Sequence, residues 1–127
     1  MQQVHLVEGP LARSWPPADM AGAGAVVVFD GVVRPLEEGR TLDALEYEAY
    51  RPMADRQLER LAALAVADHG VMACLVWHSV GRVAVGEVSF RLVVASPHRR
   101  EALRAMDWFI DVMKKDVPIW KRPVWRA

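Results

Sequence analysis

The chain has 127 residues, of which 53% are apolar and 25% charged, and sixteen basic side chains balance sixteen acidic ones. That size suits one domain over residues 1–127, and the charge balance excludes a global field for nucleic acid or an anionic membrane while leaving room for a local cationic patch. No apolar run approaches the length of a bilayer span, and a single cysteine, Cys74, excludes an intrachain disulfide.

The first ten residues, "MQQVHLVEGP", have no basic region followed by an apolar stretch, so no secretory leader is predicted. With the lone cysteine this fits a reducing cytoplasm. "VHLVE" reads as a short strand, and "RSWPPADMAGAG", residues 13–24, as a connection. "AVVVFDGVVR" is rich in β-branched residues and predicts a central strand, with Gly31 as a bulge or close-approach point. "PLEEGRT" reads as a polar loop. In "LDALEYEAY" the side chains alternate, with Leu45, Tyr47 and Ala49 on one face and Glu46 and Glu48 on the other.

From Met53 to about His69 the period becomes helical. Leu58, Leu61, Ala62, Ala65 and Val66 form one stripe, and Gly70 ends it. "VMACLVWHSVG" and "EVSFRLVVAS" predict two more strands joined by "RVAVG". Cys74 falls in the first of them and reads as a buried, inert thiol. Ser96 and Pro97 suit the N-cap and first turn of a second helix, which Val117-Pro118 stops. Strands, helix, strands, helix in this order predict an α+β domain, two main helices packed on a mainly antiparallel sheet.

At roughly 100° per residue, Ala102, Leu103, Met106, Phe109, Ile110 and Met113 share one side of the second helix. Arg104, Asp107, Asp111 and Lys115 lie opposite, with Asp111 and Lys115 spaced as an exposed pair. Lys114 falls at the border of the apolar side. It reads either as a lysine whose stem covers the core edge or as a site residue. "HRR" occupies the first turn, where the helix dipole disfavours cations. His98 and Arg99 there are either solvated or, with free backbone N–H groups, a site for a phosphate or carboxylate. Arg34, at a strand end, offers either a solvated rim or a planar fork for phosphate. The four histidines and one cysteine form no metal-ligand cluster, and no nucleotide loop, serine-hydrolase or zinc-protease pattern is present.

"FDGVVR", "LEYEAYRPMA", "VGE", "SPHRREAL" and "DVMKKDVPIWKR" occur in this order. Together, over residues 22–122, they resemble the large, catalytic subunit of molybdopterin synthase. The resemblance implies an α/β-hammerhead type of fold, a homodimer, and a small ubiquitin-like sulfur-carrier subunit ending in a Gly-Gly thiocarboxylate. Two carriers on the dimer would make a heterotetramer. The implied reaction moves two sulfurs onto cyclic pyranopterin monophosphate, making the molybdopterin dithiolene of the molybdenum cofactor with no metal or organic cofactor.

The resemblance carries catalytic lysines onto Lys114 and Lys121, anion-binding residues onto Arg34, His98 and Arg99, and a pocket phenylalanine onto Phe29. The closing stretch "PIWKR" then reads as a cationic channel for the carrier tail, formed by Trp120, Lys121 and Arg122. The lysines would move protons, or one would trap the carrier's acyl group as an amide. Serine stands at residue 79, where the family often has arginine, and the tail after "WKRPVWRA" is shorter than in many relatives. The competing reading is a non-catalytic module of the same fold that binds an anionic ligand or a carrier tail.

Overall fold

The strand at Ala73–Ala84 organises the molecule, because its two ends pair with different neighbours. The computed structural model describes residues 1–12, 20 and 22–127, so most of the predicted connection at residues 13–24 lies outside the described residues. The elements are β1 (Gln2–Glu8), β2 (Ala25–Val32), β3 (Leu36–Glu37), β4 (Arg40–Ala49), α1 (Met53–His69), β5 (Ala73–Ala84), β6 (Val88–Ser96), α2 (Arg99–Asp116) and β7 (Ile119–Trp125). The first part of β5 pairs in parallel with β1, from Gln2↔Cys74 to Glu8↔Val80, and antiparallel with β6. The far side of β6 takes β2. The last part of β5, residues 81–84, pairs with β4, whose other edge takes β7. The result is a mostly antiparallel seven-stranded sheet with two helices, an α+β fold of the α/β-hammerhead type.

Both helices cover one face of the sheet. Leu58, Leu61, Ala62 and Ala65 of α1 and Ala102, Ala105, Phe109 and Met113 of α2 pack on Cys74, Val76, Leu92 and Val94. Successive inward residues in β5 and β6 are two apart, as strand geometry requires. A second, smaller core joins Val33, Leu42, Leu45 and Val83 under β4, with Trp125 against it. Gly70 ends α1 in the left-handed region at φ 71°, its N–H donating to Ala65 O. No helix among the described residues is long and apolar enough to cross a membrane.

Several expectations are corrected. β2 is not central: among the described residues it pairs only with β6, and so forms an edge. Alternation reports which face is buried, not lateral order. The expected irregularity at Gly31 is present as a register shift between Gly31 and Val32. The polar loop holds a small hairpin, β3 on β4, closed by Glu38 and Gly39 at φ 51° and 77°, the turn that matches strand twist. The supposed linker "RVAVG" mostly continues β5. The closing stretch, read from the sequence as a cationic channel wall with no element assigned to it, is strand β7.

Ser96 does not cap α2. It is the last residue of β6, paired with Ala25 and fully buried, so the sheet claims it before the helix can. His98 takes the N-cap position in extended conformation, without a side-chain capping bond. Leu103 is 51% exposed while Ala105 is buried, because the stripe centres on Ala102, Phe109 and Met113, leaving Leu103 on its flank. Among the described residues Asp111 and Lys115 do not come within ion-pair distance.

Candidate functional site

The chain leaves α2 through Val117 and Pro118 and returns along β4 as β7, so the end of the helix and the start of the strand face the bulged end of β2. Between them lies a cavity of about 460 Å³. β2 and the residues after it contribute Phe29, Gly31, Val32, Val33 and Arg34. The β3–β4 hairpin contributes Glu37, and β4 gives Leu45 and Tyr47. His78 comes from β5, and Ser89 and Phe90 from β6. The last turns of α2 bring Ile110, Met113 and Lys114, and β7 brings Ile119, Trp120 and Lys121.

Five of the predicted site residues therefore meet: Phe29, Arg34, Lys114, Trp120 and Lys121. Lys114 follows Ile110 by one turn, and this flank of α2 opens on the cavity. The rim carries three cations and one carboxylate, Glu37, whose Oε1 lies 3.2 Å from Lys121 Nζ. Such a rim attracts anions.

Lys121 and Trp120 also line a smaller groove of about 140 Å³, with Glu46, Tyr47, Glu48 and Arg122. Arg122, predicted beside Lys121, opens only on this groove and sits 3.6 Å from Glu46.

His98 and Arg99 are not in the cavity. They are exposed at the opposite end of α2, and fifteen residues of helix put Arg99 about 22 Å from Lys114 along the axis. A helical wheel reports angle but not axial distance.

The floor of the cavity is a polar set that periodicity did not single out. Ser89 Oγ–H donates to Gly31 O at 3.4 Å, which leaves the Tyr47 hydroxyl as donor to Ser89 Oγ at 3.0 Å. His78 Nδ1 lies 2.8 Å from Ser79 O. A carbonyl only accepts, so Nδ1 carries the proton. Burial pushes the His78 imidazole below its ordinary pKa, against the raising effect of that hydrogen bond. The available signal was alternation: Cys74, Val76 and His78 share the inward face of β5. Ser79 points the other way and is fully buried.

Beyond the cavity, Cys74 behaves as expected. It is buried among the helices, and burial pushes its thiol up to about 12, far from thiolate chemistry at neutral pH. Among the described residues no group of three or more His, Cys, Asp or Glu is placed to hold a metal ion.

The sequence profile of the family described as MoaE protein matches residues 11–116. A molybdopterin synthase catalytic subunit from Pyrococcus abyssi is 41% identical over 104 residues, which cover 82% of this chain and 70% of that one. Another from Nostoc is 40% identical over 110 residues, covering 86% and 67%. Among solved structures, molybdopterin synthase from Staphylococcus aureus superposes with a TM-score of 0.83 at 32% identity, covering 96% of this chain and 90% of that one. The complex of subunits 1 and 2 of molybdopterin-converting factor from Helicobacter pylori gives 0.75 at 25% identity, covering 98% and 90%.

Proposed function

The chain belongs to the MoaE protein family of molybdopterin synthase catalytic subunits, sulfur-transferring enzymes of molybdenum cofactor biosynthesis, and from that premise we propose how its cavity serves the reaction. The substrate is cyclic pyranopterin monophosphate, and the sulfur arrives on the C-terminal thiocarboxylate of a small ubiquitin-like carrier subunit. One observation carries this reading: Arg34, Lys114 and Lys121 converge on one cavity that shares Tyr47, Trp120 and Lys121 with a smaller groove beside it.

Each part has a chemical task. The Arg34 fork suits the phosphate, since it is permanently charged and matches two oxygens at once. The groove of Trp120, Lys121 and Arg122 suits an extended glycine tail, with an apolar wall on one side and cations for its terminus. Lys114 and Lys121 stand where the tail and the pterin meet. There they move protons as the phosphate ring opens and sulfur adds, or one of them takes the acyl carbon that sulfur leaves.

His98 and Arg99 enter through a second copy. The edge strand β2 exposes Val26 and Val32 at 47% and 50%, whereas its neighbour β6 is buried throughout. The start of β2 pairs with Ser96, beside His98, and its end borders the cavity. Two β2 strands packed antiparallel about a twofold axis set the start of one against the end of the other. The second copy's His98 and Arg99 then approach the cavity and complete its phosphate site. A carrier on each copy makes the heterotetramer.

The deciding experiment mixes the protein with thiocarboxylated carrier and cyclic pyranopterin monophosphate and assays the dithiolene. Product formation supports the enzyme. Carrier binding without product would favour the non-catalytic module.

A further inference from the structure

His78 is 7% exposed at the floor of the cavity, with one ring nitrogen committed and the other not. Nδ1–H donates to Ser79 O at 2.8 Å, so Nε2 keeps its lone pair, and it has no hydrogen-bond partner among the described residues. The ring cannot easily turn away. Tyr47 meets it edge-on at 5.2 Å between centroids, and Phe90 lies 5.7 Å off on a tilt. Tyr47 is held in turn by Ser89.

None of the other polar side chains of the cavity offers a neutral nitrogen acceptor. Arg34, Lys114 and Lys121 only donate. The Tyr47 and Ser89 hydroxyls spend their protons on Ser89 Oγ and Gly31 O and keep only lone pairs on oxygens that are weaker acceptors than an imidazole nitrogen. Glu37 is engaged by Lys121. A flat heterocycle with N–H groups on its ring and exocyclic amine can satisfy its phosphate on this rim but not those donors. We propose that His78 Nε2 is the hydrogen-bond acceptor that takes an N–H of the pterin and so fixes the orientation of the heterocycle in the cavity. The inference rests on the reading of the cavity as a pterin site and names a binding residue within it. Burial keeps the imidazole neutral. An imidazolium would add a fourth cation to the site and lose the acceptor.

The test uses the intact protein with ¹⁵N-labelled imidazoles, titrated with cyclic pyranopterin monophosphate alone. In the free protein the Nε2 signal of His78 is that of an unprotonated nitrogen, and it moves on binding while Nδ1 stays. Binding that leaves Nε2 unmoved overturns the inference and leaves the enzyme reading intact. Failure of the wild-type protein to bind the pterin removes both. In turnover, His78→Phe keeps the ring and removes both nitrogens. It raises the KM for the pterin about tenfold and leaves the KM for the carrier unchanged. His78→Gln, which returns an acceptor near the Nε2 position, recovers most of that loss. An unchanged pterin KM in a folded His78→Phe protein also overturns the inference. If that variant does not fold, the titration of the wild-type protein decides.

Discussion

Lys121 Nζ sits 3.2 Å from Glu37 Oε1 across the mouth of the cavity, so a proposed catalytic cation already has an anionic partner. The glutamate rides on the tight β3–β4 hairpin, which fixes its position opposite β7. A carrier terminus is itself an anion and competes for the same ammonium. Removing the carboxylate leaves the cation to the incoming tail.

Glu37→Gln is therefore predicted to lower the KM for the carrier several-fold at low salt, with the gain shrinking as salt screens it. Stability changes by less than about 1 kcal/mol, the scale of a partly exposed pair. Carrier titrations at two ionic strengths check this. Weaker carrier binding in the variant would mean that Glu37 holds Lys121 in its working position instead.

Neighbouring lysines on α2 differ in what they face. Lys114 lines the cavity and Lys115 does not. Lys114→Ala is predicted to remove most dithiolene formation while melting normally, because truncating an exposed flank lysine opens no buried cavity. Lys115→Ala keeps near-normal activity and loses at most about 0.5 kcal/mol, typical of an exposed helix position. Lys121→Ala behaves like Lys114→Ala and also weakens carrier binding. Equal activities in the Lys114 and Lys115 variants would refute the assignment.

The His78 imidazole has its folded-state pKa below the unfolded one. Between the two values the unfolded chain binds more protons, so stability rises with pH there. The contribution is fully present above about pH 6.5, the unfolded value, and is lost as pH falls through the folded value. Melting temperature is predicted to drop on acidification over that window, and His78→Phe should flatten the slope. An identical slope in wild type and variant would assign the acid sensitivity to other groups.

The β2 edge gives the assembly prediction. Val26 is exposed near the start of β2, whose outer edge is unpaired among the described residues, and a charge there is a usual guard against strand pairing. Val26→Lys should yield a monomer by light scattering at micromolar concentration, where the wild-type protein is expected to run as the proposed dimer. The monomer should also lose activity, since its phosphate site would lack His98 and Arg99. Full activity in a monomeric variant would place those two residues outside the reaction.

The legible part of the site followed from local rules. Lys114 showed itself by sitting one turn beyond Ile110 at the border of the apolar stripe, and Arg34 by ending a strand. β7 was hidden because Pro118 and Pro123 read as breakers. Pro123 is tolerated opposite Leu45 because β7 has β4 on one side only among the described residues, and an edge strand can spare a donor. Ser96 looked like a cap for a local reason, and the pairing with Ala25 overrode it. Glu37 and Lys121 are 84 positions apart, and their meeting depends on two hairpin-like returns that no short-range pattern encodes.

Strand β5 also sets how the molecule comes apart. A two-sheet protein joined only by loops can lose one sheet and keep the other. Here residues 74–80 pair with β1, residues 73–78 with β6, and residues 81–84 with β4, along one unbroken backbone. Detaching the part of the sheet that carries β4 and β7 frays the strand that anchors both helices. Opening is then concerted, and the amide protons of β5 are the ones whose exchange with solvent waits for global unfolding. The wall of the cavity is thus as durable as the core, though β7 itself lies at the rim of the fold.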